Sequence, residues 1–569
     1  MVLILDATSP GPKDVDMPLV APAALDTPPS SDQTQTDSLD ELIPASKRPP
    51  ALGPLLHEPP LNHLQKVRTG IQSLPPELLV RIFHYLVLKS PNTRALIQAT
   101  HVCRLFRSVA LDSPTLWTKV TRLYGTTIPE AQAFLDRSAH LQLDINLPAS
   151  SLNDWTAFLL SNVLPRLRSL EIGINSSYYK PITRLLASLV GRPAPHLKKL
   201  HLLDKGESVG ESDSDSEYDR IPRAQQLPYV FHVFDGGKYR SATPSLRSLR
   251  LAPVLLSWDS DIFKDLTHLE LRGTDWRVNY PTQAQLLAIF KRCLDLQTLA
   301  LELPKVLNSA PRQELEPVIP LPRLSRVIFR QLAPSRIANL LSYLALPPTT
   351  RFTIDCKLED GSTLFPVFPE NREHLPSLQD LPDVEITVKL LELMVYFKLS
   401  SWDADGKAHR VTTISVETEE LEYIGSGIPA TLVDSAQRIT YHGDFQDEFG
   451  EFGDWTRVFR PATRLRVLRL IRPGGDLENI CQDLTRRVPD DAVPGGPERF
   501  CPELTDLELD LVSFTNGKRA SIIWLLTDRQ NVGRPLKKVV FKRVSGVFSE
   551  FIEGLREYGA EIVGPLHYW

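Results

Sequence analysis

A short pattern, Leu-x-x-Leu-x-Leu, keeps returning along this 569-residue chain. Copies start at Leu167, Leu197, Leu246, Leu266, Leu296, Leu465 and Leu504, and looser ones with valine and phenylalanine in the later places start at Leu324 and Leu536. The closing Leu-x-Leu alternation puts two apolar side chains on one face of a strand and the residue between them on the other. A single core stops growing at roughly 250–300 residues, whereas an array of units that each pack on their neighbours has no such limit. The recurrence therefore predicts an elongated array built around strands.

The starts are unevenly spaced, from 20 residues (Leu246 to Leu266) to 49 (Leu197 to Leu246). Ordinary leucine-rich repeats run about 20–29 residues, so these units are longer and less regular. Some strands come with helix-like apolar runs, such as Leu286, Leu287, Ile289 and Phe290, or Ile337, Leu340, Leu341 and Leu344. Between residues 330 and 464 the pattern fades, but 351–355, 384–388, 411–416 and 438–441 read as strands. The fold class expected is α/β: a small helical unit, then an irregular leucine-rich-repeat-like α/β solenoid of about a dozen strand–helix units over residues 121–569. Residues 1–60 hold 12 of the 48 prolines, with much Ser, Thr and Asp, and read as a disordered tail. An insertion near 204–225 carries Glu211-Ser212-Asp213-Ser214-Asp215-Ser216-Glu217, an acidic serine-rich loop whose serines suit an acid-directed kinase.

Residues 61–120 have another texture. Ser73-Leu74-Pro75-Pro76-Glu77 reads as a helix start, with proline in the first turn and an acid at the positive end of the dipole. Leu78, Ile82 and Leu86 follow at helical spacing, and Leu79, Phe83 and Val87 repeat it one residue on. Thr93 reads as the cap of a second helix with the stripe Leu96, Ala99, Cys103, Phe106 and Ala110. Leu116 and Trp117 close the block. At about 50 residues such a unit is marginal without a partner.

In order and spacing, Leu74-Pro75-Pro76-Glu77-Leu78-Leu79, Ile82-Phe83-His84-Tyr85-Leu86, Val102-Cys103-Arg104-Leu105-Phe106 and Leu116-Trp117 resemble the F-box. Phe106 stands where that family most often has tryptophan, and the Leu88-to-Arg94 link lacks the usual acidic turn. The resemblance implies a helical bundle that docks on a Skp-type adaptor and, through it, on a cullin. Carried over, the adaptor contacts are Leu74, Pro75, Glu77, Leu78, Ile82, Phe83, Leu86, Val102, Cys103 and Leu116, with Trp117 either in the contact or in the internal core. The rest of the chain then looks like the divergent repeat domains often joined to F-boxes, holding a target protein. Candidate target contacts lie between the pattern leucines: His268, Glu270, Arg272, Arg326, Arg330, Asp506 and Glu508.

Other classes have less to stand on. Lys+Arg number 64 and Asp+Glu 69, a net charge of −5, which gives no overall basic excess for nucleic acid. No apolar run approaches the ~20 residues of a membrane helix, and Met1–Leu5 lacks the basic flank of a signal peptide. The five cysteines, Cys103, Cys293, Cys356, Cys481 and Cys501, are too far apart for a disulfide framework or a zinc knot. No nucleophile-elbow, zincin, Walker or dinucleotide-binding motif occurs, so no enzyme activity, metal or cofactor is expected. The expected role is a substrate-recognition subunit of an SCF-type ubiquitin ligase in cytoplasm or nucleus, binding adaptor and an unknown protein target. The alternative is a scaffolding repeat protein outside any ligase.

Overall fold

Backbone amides that must pair, and leucines that must leave water, are both satisfied here by laying strand beside strand. The computed structural model describes residues 70–89, 94–121, 128–148, 154–174, 185, 192–204, 230–231, 243–251, 255–272, 280–303, 317–357, 367–379, 381–389, 394–402, 408–417, 433–443, 455–487 and 499–564. The proline-rich tail and the acidic serine-rich segment lie outside these residues. Thr69–Trp569 forms one compact unit.

The unit opens with a 3-10 turn, Ile71–Ser73, and three helices: α1 (Pro76–Lys89), α2 (Arg94–Thr100) and α3 (Arg104–Leu111). Glu77 sits in the first turn of α1, as the sequence predicts. The single second helix that the sequence predicts is instead two. Cys103 adopts an extended conformation (φ −159°, ψ 168°) and its Sγ accepts from the Phe106 N–H, so it caps α3 rather than continuing α2. Thr93, the expected cap, lies outside the described residues. A 3-10 turn at Pro114–Trp117 leads into the first strand.

The strands are β1 (Lys119–Thr121), β2 (Leu143–Leu147), β3 (Leu167–Ile174), β4 (Lys199–Asp204), β5 (Val230–Phe231), β6 (Ser248–Leu251) and β7 (Leu255–Leu256). Next come β8 (His268–Arg272), β9 (Thr298–Glu302), β10 (Ile319–Pro320), β11 (Arg326–Arg330), β12 (Leu344–Ala345) and β13 (Arg351–Lys357). The last are β14 (Asp383–Lys389), β15 (Met394–Trp402), β16 (Ala408–Glu417), β17 (Arg438–His442), β18 (Val467–Ile471), β19 (Asp506–Asp510), β20 (Lys538–Lys542) and β21 (Glu561–Val563). The two-residue pairs β5–β7 and β10–β12 stand apart, and the other strands form one 17-stranded sheet. All nine copies of the leucine pattern carry a strand of this sheet, and the pattern residues, such as Leu269, Leu271, Leu299, Leu507 and Leu509, are at most 3% exposed.

Pairing is parallel from β1 through β2, β3, β4, β6, β8, β9 and β11 to β13, with one register shift between Leu143 and Asp144 where β2 meets β3, and again from β14 through β17, β18, β19 and β20 to β21. The middle is built differently from the run of strand–helix units that the sequence predicts. The four segments read there as strands are β13, β14, β16 and β17, but β14, β15 and β16 form an antiparallel meander. Its last strand, β16, returns to pair with β13, and its first, β14, pairs with β17. The spatial order is therefore β13-β16-β15-β14-β17, and β15 alone opposes the others.

Helices fill several crossovers: α4 (Ile128–Arg137), α5 (Asp154–Val163), α6 (Gln283–Arg292), α7 (Pro334–Ser342), α8 (Thr456–Phe459), α9 (Asp476–Thr485), α10 (Asn516–Asn531) and α11 (Ser549–Arg556). Their starts follow local chemistry. Thr282 and Gln285 form a reciprocal capping box on α6, and the Thr515 hydroxyl accepts from the Lys518 N–H on α10. Apart from Leu344, which lies past the end of α7 on β12, the predicted apolar runs fall on α6 and α7, whose Leu286, Ile289, Phe290, Ile337 and Leu341 are fully buried. One apolar core continues from Leu79 in α1 to Ala560 before β21.

Candidate functional site

Helix α1 has two apolar stripes and buries only one. Leu79, Phe83 and Val87 face inward, at 0%, 1% and 8% exposure. Leu78, Ile82, Tyr85 and Leu86, at i, i+4, i+7 and i+8, face outward at 42%, 36%, 60% and 37%. Ile71 and Val102, at 51% and 66%, extend the outward set. Six large apolar side chains exposed on so small a unit form a patch of the kind that marks a protein interface.

The inward side is held tightly. The Phe83 and Phe106 rings meet edge to face at 5.3 Å, so phenylalanine fills the position where tryptophan was expected. Trp117 is fully buried, donates from Nε1 to the Ala110 carbonyl at 2.7 Å and meets Phe134 of α4 edge to face at 4.8 Å. The Arg137 guanidinium lies 4.6 Å over the Trp117 ring. Because β1 begins two residues after Trp117, the helical unit is anchored to the sheet through both the packing and the backbone.

Among the residues expected at the adaptor contact, Pro75, Glu77, Leu78, Ile82, Leu86 and Val102 are exposed, while Leu74 and Cys103 are half-buried. Phe83 and Leu116 are corrected to the interior, each 1% exposed, and Trp117, for which the sequence left contact and core open, is in the core. Their size and full burial give them the task of shaping the patch from beneath. Two surface members, Ile71 and Tyr85, escaped the sequence reading. Tyr85 had a signal, since it lies seven residues beyond Leu78 on the same helical face, whereas Ile71 lies on a 3-10 turn with no periodicity to read.

The second candidate surface is the sheet face opposite the leucines. Register stacks its residues into rows: Arg272, Glu302, Arg330 and Asp355 stand side by side on β8, β9, β11 and β13. Their charges alternate, and ion pairs run across the row and into the next. Arg250–Glu270 is 3.0 Å, Arg272–Glu270 2.5 Å, Arg272–Glu302 3.8 Å, Arg330–Glu302 3.7 Å and Arg330–Asp355 3.3 Å. A second network joins β18, β19 and β20. Arg469 reaches Glu508 at 3.8 Å and Asp510 at 3.1 Å, Lys542 reaches Glu508 at 2.9 Å, and Arg543 reaches Asp510 at 2.7 Å. The arginines beside Asp510 hold its carboxyl below the usual carboxylate range. On β4, burial first and then the Arg250 charge bring the His201 imidazole down to about 4, so it is neutral at physiological pH. Burial and the Arg250 and Lys199 charges also lower His268.

Of the candidate target contacts, the sheet brings His268, Glu270, Arg272, Arg326 and Arg330 within reach of one another on β8 and β11, which flank β9. Asp506 and Glu508 on β19 are not part of that group. Six strands stand between β11 and β19, about 34 Å along the sheet at ~4.8 Å per strand. Among the described residues no group of three or more His, Cys, Asp or Glu could hold a metal ion. No described helix is long and apolar enough to cross a membrane.

The geometry defines a class: a small helical unit with an uncovered apolar stripe, fixed to the first strand of a mostly parallel sheet. The family model for F-box-like domains matches residues 71–123, the segment that carries that stripe and β1. Residues 71–123 are thus an F-box-like domain, and the match supports an F-box protein. No curated protein matches the chain.

Proposed function

We propose that this chain is a substrate-recognition subunit of an SCF-type ubiquitin ligase. The outward stripe of α1 with Ile71 and Val102 binds a Skp-type adaptor, and a cullin joins through the adaptor. The sheet and its helices act as a leucine-rich-repeat-like solenoid that holds a target protein. The protein itself catalyses nothing. It brings target and transfer machinery together, and proximity of that kind is worth several kcal/mol of barrier. The reading places it in cytoplasm or nucleus, where thiols stay reduced. The observation that carries the proposal is the exposed apolar stripe inside the F-box-like match. The packing of Trp117 on Phe134 supports a firm link between the F-box-like domain and the sheet.

The test is co-purification of the chain with a Skp-type adaptor and cullin. Leu78→Ala combined with Val102→Ala is expected to abolish adaptor capture with little change in melting temperature, since the two side chains are 42% and 66% exposed. Phe83→Ala is expected to destabilise by about 3 kcal/mol through the cavity it leaves. Full adaptor capture by the Leu78/Val102 variant would remove the proposed interface. Adaptor without cullin would favour a scaffolding role.

A further inference from the structure

One end of the sheet face departs from the ion-pair networks that run through Arg272, Glu302 and Arg330 and through Arg469, Glu508 and Lys542. Across β1 to β4 a cavity of about 380 Å³ opens on that face, and its charged lining is Lys119, Asp144, Arg168, Glu171, Lys198 and Lys199. Arg168 and Asp144 satisfy each other as a bidentate pair, with Nε donating to Oδ1 at 2.9 Å. Lys119, Lys198 and Lys199 form no ion pair with any described residue. On β8 to β13 and on β18 to β20, by contrast, Arg272, Arg330, Arg469 and Lys542 are paired with carboxylates on neighbouring strands, although Arg326 and Arg351 of the same face form no such pair with a described residue. The cavity therefore holds four cations against two carboxylates, on a chain whose net charge is −5.

Register assembles the cluster from distant sequence. Lys119 pairs with Asp144, Asp144 with Ser169, and Ser169 with Lys199. Three strand steps separate Lys119 from Lys199, about 14 Å. A row of cations spread over that width suits an extended chain carrying several negative groups. Lysines on flexible stems meet carboxylates as point charges without a fixed fork geometry.

We propose that this cavity docks an acidic, carboxylate-rich segment of a target protein. The inference rests on reading the sheet face as the target-holding surface, and it narrows the chemistry of the target. The site adjoins β1, the strand that leaves the F-box-like domain, so the docked segment lies at the adaptor end of the sheet.

The experiment uses the full chain bound to adaptor and follows anisotropy of a labelled octapeptide rich in Asp and Glu. Its Asn/Gln counterpart, inorganic phosphate and a single-stranded oligonucleotide serve as competitors. The acidic peptide is expected to bind, to weaken with added salt as exposed charges are screened, and to outcompete its neutral counterpart. Changing Lys119→Gln, Lys198→Gln and Lys199→Gln together is expected to weaken it at least tenfold, whereas Arg323→Gln, at the exposed pair with Asp295 just before β11, leaves it unchanged. Equal binding of the neutral peptide, or no loss in the triple variant, overturns the proposal. So does full displacement by phosphate, which would mean a single-anion site, or tighter binding of the oligonucleotide. Adaptor capture is read in parallel. Adaptor bound without acidic-peptide binding sinks this inference alone, whereas a chain that captures no adaptor sinks the receptor reading itself.

Discussion

At the scale of single residues, the cysteines separate cleanly by burial. Burial pushes the Cys293 thiol up to about 11 and those of Cys356, Cys481 and Cys501 up to about 12, while Cys103 is half-exposed beside Val102. Since the thiolate is the reactive form, these four should resist alkylation at neutral pH. Iodoacetamide followed by peptide mapping is expected to label Cys103 alone in the folded protein, and bound adaptor is expected to protect it. Labelling of Cys481 without denaturant would contradict the buried core. A second residue-scale feature is strain. Gln331, Arg472, Leu511 and Arg543 each follow the last residue of a strand and each have positive φ, between 49° and 58°. The N–H groups of the first three donate to carbonyls at the end of the next strand, at 2.9, 3.0 and 3.0 Å, which repays the conformation. Gln331 is exposed, so it isolates the backbone effect. Gln331→Gly is expected to unfold at equal or higher denaturant than the parent, and Gln331→Val to lose about 1–2 kcal/mol. Equal midpoints for the two variants would refute the strain.

At the scale of elements, the ends of strands are where cross-strand electrostatics concentrate. Asp510, 1% exposed, joins three strands: it closes β19 and accepts from Arg469 on β18 and Arg543 just after β20. Its folded-state pKa is lowered, so its contribution is complete above the unfolded carboxylate value near ~4 and disappears as pH falls through the lowered value. Asp510→Asn is expected to cost about 1–2 kcal/mol at pH 7. The gap between variant and parent urea midpoints should close as pH is taken below about 4. A gap that stays constant from pH 7 to pH 3 would exclude the carboxylate as its source. The exposed ladder through Arg272, Glu302 and Arg330 belongs to another regime, since solvated pairs contribute about 0–1 kcal/mol each and serve mainly to keep a polar face over an apolar core. Helix α1 shows the same division within one element, with adjacent stripes of near-identical composition, one inside and one outside.

At the scale of the whole molecule, the helical unit and the sheet share their core. Trp117 has partners on both sides, Ala110 behind it and Phe134 ahead, and β1 finds its pairing partner in β2. A fragment of residues 69–121 keeps Ala110 but loses Phe134, Arg137 and β2. It is expected to show little protected amide exchange alone and to gain protection on adding adaptor, since so small a unit buries too little surface to stand alone. Full protection in the isolated fragment would show the helical unit to be autonomous. The meander β14–β16 lies between two parallel runs, and its reversed order joins them without breaking the sheet.

The sequence alone determined the parts governed by local periodicity. Every copy of the leucine pattern marks a strand of the sheet, the apolar runs before Leu296 and Phe352 mark helices apart from Leu344 on β12, and the F-box resemblance falls within the matched residues. These were legible because side-chain alternation and helical spacing are encoded in neighbouring residues. Tertiary structure decided the rest. Both stripes of α1 read as apolar, and only the packing of α2, α3 and α4 makes Phe83, Leu116 and Trp117 interior and Leu78 and Val102 exterior. The four middle segments read as strands, yet which strand each one meets depends on crossovers that no local pattern specifies. The lysine cavity at β1 to β4 and the 34 Å gap between Arg330 and Asp506 follow from register, because residues far apart in sequence become neighbours only when the sheet chooses its order.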